Sequence, residues 1–255
     1  MINPYLKHLN KIEFIVTYAC TGRCKHCSEG DHAPFGERID PQIATKTVRR
    51  IATEYAIQTV MAFGGEPLLY PEAVYAIMAV AKELDIPTRQ VITNGCFSRN
   101  VGKMREVAKR LSVCGVNDLL LSVDAFHQET LSLNTVKKFA AEAKKCGIPV
   151  RFQPAWLRSR EDDNPYNRKT REILDSLAHM AIPEGEGNVI FPEGNAQKYL
   201  AAYFTDRSPE NPYVEDSHDV RCLSFSPNGD VLGGNVYRHD VMDLIKNYNR
   251  SEMQL

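Results

Sequence analysis

Short apolar runs alternate with amphipathic stretches along most of the chain, which restricts it to a parallel sheet covered by helices. Segments 11–17 (KIEFIVT), 58–63, 88–93, 118–123, 149–153 and 188–191 read as strands. Helical spacing follows each in turn, at 41–56, 71–84, 100–113, 131–146, 167–181 and 196–204, and Asp40 and Pro41 mark the first helix start. From the third strand to the fifth, starts recur about every 30 residues, the length of one β-α unit. Several strands show little polar alternation, as expected when both faces of a parallel sheet are covered. Six such units predict an open or incomplete barrel, and a doubly wound sheet satisfies the same periodicity. In either architecture function gathers at the C-terminal ends of the strands.

The rhythm breaks near residue 205. Segment 205–219 is polar, proline-bearing and acidic and reads as a surface loop, and 221–234 reads as a β-hairpin turning at Pro227-Asn228-Gly229. The expected division is a core at 1–204 and a C-terminal extension at 205–255.

Charge narrows the function. Basic and acidic residues number 31 and 32 in a chain of 255, a formal charge of −1, so no bulk field draws the protein to nucleic acid or an acidic membrane. No apolar run approaches a membrane span, and the first ten residues lack a secretory pattern. A cytoplasmic protein with reduced thiols is the expectation. Its seven cysteines then point to metal or redox chemistry, and three of them, Cys20, Cys24 and Cys27, fall within CTGRCKHC directly after the first strand. Three thiolates so spaced can hold an iron–sulfur cluster with one iron left open to a small molecule. Zinc would need a fourth ligand such as His26 or His32. A buried helical stripe is the third reading, weakened by Gly22 and the polar residues around it.

Other polar groups fall at successive strand ends. Gly64-Gly65-Glu66-Pro67 offers close approach to the backbone and a carboxylate for an ammonium group, or simply punctuates a turn. Thr93-Asn94-Gly95 and Ser122-Val123-Asp124 can hold a ribose or a carboxylate, or can serve as Asx turns and helix caps. Arg151 and Gln153 stand near the end of the fifth strand. His127 and Glu129 lie past the fourth, able to bind substrate or move a proton. Trp156 belongs to the substrate cavity or to the core. Cys114 and Cys146 end helices and read as packing residues, whereas Cys96 follows a turn on the functional side and Cys222 opens the hairpin.

Taken together, these motifs resemble the radical S-adenosylmethionine (SAM) superfamily, which carries C-x3-C-x-Φ-C after the first strand of a partial (β/α)6 TIM-like barrel. His26 occupies the Φ position. The resemblance implies that Cys20, Cys24 and Cys27 bind three irons of a [4Fe–4S] cluster while SAM chelates the fourth. Reductive cleavage of SAM then gives a 5′-deoxyadenosyl radical that abstracts hydrogen from a substrate. Gly64, Gly65, Glu66 and Pro67 match the GGEP motif that meets the methionyl amino group. Asn94, Ser122, Asp124 and Gln153, with His26 beside them, fall where the fold holds SAM. The C-terminal hairpin resembles the opening of SPASM or twitch extensions, and 191–196 (FPEGNA) is similar to their P-x-G-R-A stretch, with Asn195 in place of arginine. No cysteine follows Cys222, so a full SPASM domain is excluded.

That similarity implies a peptide substrate modified at carbon, by maturation or epimerisation, with Cys222 or Cys96 returning a hydrogen atom to the substrate radical. It also implies a reductant such as flavodoxin or ferredoxin. A glycyl-radical-enzyme activase and a small-molecule radical SAM enzyme are the enzymatic alternatives, and a non-catalytic zinc-binding protein the remote one.

Overall fold

Every strand of the first five units runs the same way, because each is followed by a helix that returns the chain to the starting edge. In the computed structural model, which describes residues 2–32, 35–204 and 210–249, these units are β1 (Lys11–Ile15), α1 (Pro41–Ala52), β2 (Thr59–Phe63), α2 (Pro71–Glu83), β3 (Thr88–Thr93), α3 (Val101–Val113), β4 (Asp118–Ser122), the one-turn α4 (Ala125–Gln128), α5 (Leu133–Lys145) and β5 (Val150–Gln153). Then come β6 (Ala155–Leu157), α6 (Pro165–Ser176), β7 (Asn188–Ile190), α7 (Gly194–Leu200), β8 (Cys222–Phe225), β9 (Asp230–Val231), β10 (Gly234–Asn235) and α8 (Val241–Asn247). The main sheet has the order β5-β4-β3-β2-β1-β8 and is parallel throughout. It is the open α/β sheet of a partial barrel.

Alternation divides the sheet into two faces. Ile12, Phe14, Val60, Ala62, Val91, Leu119, Leu121 and Phe152 are buried with the helices in one core. The opposite face carries Glu13, Met61, Gln90 and Asp118 in adjacent register, with Arg151 and Gln153 on β5. Arg151 holds Asp118 at 3.0 and 2.7 Å, and Lys11 holds Glu13 at 2.8 Å.

Local chemistry sets the helix ends. The Asp40 carboxylate accepts from the amides of Gln42 and Ile43, and Pro41 sits in the first turn, where its missing N–H costs nothing. The helix stops at Ala52, four residues short of the expected end. Asn164 caps α6 three residues before the expected start, and α6 ends at Ser176.

Two expectations about strands change. The sixth strand expected at 188–191 forms as β7, parallel to the chain that continues from β5, but it pairs with β6, and only a Phe152–Glu184 bridge links its segment to β5 in the main sheet. Pro154 lies between β5 and β6, and its missing amide interrupts the ladder there. The expected hairpin at 221–234 is also different. Its turn forms, with Gly229 at φ +84° donating to the Ser226 carbonyl, yet β8 pairs parallel to β1 in the register Lys11↔Cys222 to Phe14↔Phe225. The antiparallel ladder is β9 with β10 instead, turning through Leu232 and Gly233. Burial explains the choice: Leu223 and Phe225 join the main core, and Phe225 stacks on Phe14 at 5.0 Å. A buried side chain of this size contributes about 1.5–3 kcal/mol, which a solvent-exposed hairpin would forgo.

The loop reading of 205–219 is seen only from 210, since 205–209 lie outside the described residues, as do 250–255 of the expected extension. Among the described residues no helix is long and apolar enough to cross a membrane.

Candidate functional site

The chain leaves β1 through Val16 and Thr17 and is then pinned from below. The amides of Gly65 and Glu66 donate to the carbonyls of Thr17 and Ala19, both at 2.8 Å. This approach explains the two glycines. A Cβ on Gly65 would collide with the Ala19 carbonyl, and one on Gly64, at φ +129°, would lie 2.6 Å from the Thr17 carbonyl. Beyond the pin, Cys20, Cys24 and Cys27 open onto one cavity of about 90 Å³. Gly22, His26, His32, Gly64, Gly65, Ile92, Thr93, Asn94, Ser122 and His127 complete its wall. Ends of β1, β2, β3 and β4 therefore meet there.

Backbone amides point at the sulfurs. Gly22 donates to Cys20 Sγ at 3.3 Å, and the Asn94 side-chain amide stands 3.5 Å from the same atom. His32 lies with Nε2 3.0 Å from Cys27 Sγ and Nδ1 2.6 Å from the Tyr18 carbonyl. Burial pushes the Cys20 and Cys27 thiols up to about 11 and raises Cys24 as well. Deprotonating three such thiols takes a positive charge against the loop, which a metal centre brings. The donor set thus fits a cluster held by three thiolates.

Asn94, Ser122, Gly64, Gly65 and His26, which the resemblance assigns to SAM, stand on the cavity wall. Glu66, Pro67, Asp124 and Gln153 do not line it. Glu66 is fully buried, and its carboxylate accepts from the Leu68 amide (2.9 Å), the Thr93 hydroxyl (2.6 Å) and the Asn94 amide (2.8 Å). Burial pushes its carboxyl up to about 7 against those bonds. This carboxylate ties the β2 end to the β3 end, and Pro67 opens the short 3-10 turn behind it. Asp124, also fully buried, accepts from the His127 and Ala155 amides and from His127 Nδ1 at 2.7 Å. Burial works to raise its carboxyl, but the His127 and His26 rings and these bonds hold it down at about 2. Gln153 stands in register with Ser122 on the neighbouring strand, donates to the Asn188 side chain at 3.2 Å and does not line the cavity.

The thiols expected to donate hydrogen lie elsewhere. Cys222 stands beside Lys11, at the N-terminal end of the sheet, because β8 runs parallel to β1. The cavity is at the other end, so the donor role for Cys222 falls. Cys96 points its thiol at the Ser132 carbonyl, 3.7 Å away, and packs on the core. Cys114 and Cys146 pack there too. Trp156 is core, its indole N–H bonded to the Glu186 carbonyl. Glu129 pairs with Lys25.

One residue was noticed in the sequence only as a departure. Asn195, buried at the start of α7, donates from its side chain to the carbonyls of Cys24 (3.3 Å) and Gly30 (3.2 Å), and its amide donates to the Cys27 carbonyl (2.9 Å). It clamps the cysteine loop from a distance of 165 or more positions along the chain. Its place in FPEGNA was the signal; its target was not readable.

An open parallel sheet with three thiols gathered at its C-terminal end is a partial barrel with a site suited to a metallocofactor. Residues 14–153 match the family model of the radical SAM superfamily, and the chain belongs to that superfamily. It is a SAM-dependent radical enzyme whose cofactors are a [4Fe–4S] cluster and SAM. Bound together, these supply a 5′-deoxyadenosyl radical for hydrogen abstraction. Among curated proteins it is similar to the GTP 3′,8-cyclase of Mesorhizobium japonicum, 24% identical over 172 residues, which cover 64% of this chain and 50% of that protein. The chain therefore spans about half the length of that relative. Among solved structures it is similar to Streptococcus suis SuiB bound to S-adenosylmethionine, with TM-score 0.63 and 14% identity over 96% of this chain and 67% of that one. It is also similar to anSMEcpe with bound AdoMet and Cp18Cys peptide, with TM-score 0.59 and 14% identity over 95% and 81%.

Proposed function

We propose that this enzyme modifies a peptide at carbon. The observation that carries the reading is the charge balance on the open face beneath the cavity. Among the described residues Lys11 is matched there by Glu13, with Glu215 also close, and Arg151 by Asp118, while Gln90, Gln153, Asn188 and Ser224 are neutral. A nucleoside triphosphate needs cations in excess, and these are already paired. A peptide presents neutral donors and acceptors that amide and hydroxyl side chains can meet. The peptide-bound anSMEcpe structure supports the same direction.

In this reading Cys20, Cys24 and Cys27 hold the cluster, and the Gly64–Gly65 backbone, Asn94 and Ser122 hold SAM. Glu66 and Asp124 are positioning residues: one joins the β2 and β3 ends, the other orients His127. Segment 210–219 shields the open face, with the Tyr213 hydroxyl donating to Asn188 at 2.9 Å. Residues 1–204 form the catalytic core and 205–255 the extension. The enzyme works in the cytoplasm with a flavodoxin- or ferredoxin-type reductant.

The small-molecule reading has a specific observation in its favour, the similarity to GTP 3′,8-cyclases. The two are separated by incubating reconstituted enzyme, SAM and dithionite with GTP or with candidate ribosomal peptides. The peptide reading predicts that a peptide, and not GTP, raises 5′-deoxyadenosine formation above the substrate-free rate and changes in mass. Consumption of GTP with matching 5′-deoxyadenosine would overturn it.

A further inference from the structure

Beside the three-cysteine set lies a second constellation that shares only one thiol with it. Donor atoms of Cys24, His26 and His127 all lie within 4.8 Å of one another. We propose that the chain, before its loop receives iron, holds a single divalent transition metal ion, zinc foremost, through Cys24, His26 and His127.

Three features support this ligand set. His127 is aimed in advance, because Asp124 takes its Nδ1 at 2.7 Å and is itself fixed by the His127 and Ala155 amides. A carboxylate on one ring nitrogen is the usual way a metal-binding histidine is oriented, and it leaves Nε2 to ligate. His26 has a buried Nδ1 with no hydrogen-bond partner, an uncommon condition that a bound ion would relieve. Its ring is held against His127 at 4.7 Å and Phe126 at 5.0 Å. Two imidazoles and a thiolate leave a fourth position for water, which suits tetrahedral zinc or cobalt. Bond lengths of about 2.0–2.3 Å set the donors of a tetrahedral site nearer one another than 4.8 Å, so the three side chains draw in on binding.

Binding releases the Cys24 proton and occupies that sulfur, so the ion and a cluster on Cys20, Cys24 and Cys27 exclude each other. This inference does not rest on the peptide reading and survives its failure.

The test is an anaerobic Co2+ titration of the full chain stripped of metal. One ion per chain is expected, with a thiolate-to-cobalt charge-transfer band and tetrahedral visible bands, both erased by Zn2+. His127→Ala should weaken Co2+ binding about tenfold or more, and Asp124→Asn by a similar factor through loss of orientation. His127→Gln repeats the test if either variant fails to fold. Cys20→Ser and Cys27→Ser should leave the affinity unchanged, and protein preloaded with Zn2+ should take up iron more slowly. A cobalt signal that survives His127→Ala or His127→Gln but is lost in Cys20→Ser or Cys27→Ser would overturn the assignment. So would the absence of any tetrahedral cobalt signal.

Discussion

Thiols lie beyond both ends of β1, in different company. At the C-terminal end, Cys20 receives a backbone amide and the Asn94 side chain stands against it. At the N-terminal end, Cys222 sits among Lys11, Glu13 and Glu215, and burial together with the carboxylates pushes its thiol up. Burial and a nearby carboxylate raise both thiols, Glu66 for Cys20 and Glu13 for Cys222, so what separates them is that Cys20 shares a cavity with Cys24 and Cys27 and Cys222 does not line it. The lesson is that a thiol's role follows the polarity of its strand.

The sharpest way to break that comparison is Cys24→Ser. It should strip nearly all cluster iron after reconstitution, from about four per chain to near none; retention of most of the iron would place the cluster elsewhere. Gly65→Ala comes next. Its Cβ has no room against the Ala19 carbonyl, so overpacking should cost about 1–3 kcal/mol, read by denaturant melts. An unchanged midpoint would mean that the pin beneath the loop is loose.

Asn195→Ala removes two side-chain bonds to the loop carbonyls. A loss of about 1–2 kcal/mol is expected, with faster iron loss to a chelator; chelation at the wild-type rate would remove the clamp from the account. The smallest effect is assigned to Cys222→Ser, which should keep iron content and turnover at wild-type levels. A loss of turnover in D2O without solvent deuterium in the product would restore the thiol to the chemistry.

Much of this was legible in the sequence because it rests on local signals. Asp40-Pro41 starts a helix by satisfying its own amides, and the three cysteines and Gly64-Gly65 fall at strand ends fixed by periodicity. What the sequence hid was tertiary. Nothing in CLSF says whether it folds back on the next strand or lies parallel to β1, since the choice turns on the distant Ile12 and Phe14. Glu66 and Asp124 were legible as polar groups at strand ends, yet their burial against three donors each depends on neighbours from other units. The Pro154 break was visible as a residue, but its consequence, a separate β6–β7 ladder, needed the strand around it to be placed.

The most direct measurement counts iron, sulfide and zinc per chain after anaerobic reconstitution with iron and sulfide. A single cluster at the C-terminal end of β1 predicts about four irons and four sulfides. About eight irons, or one zinc with no iron taken up, would contradict it.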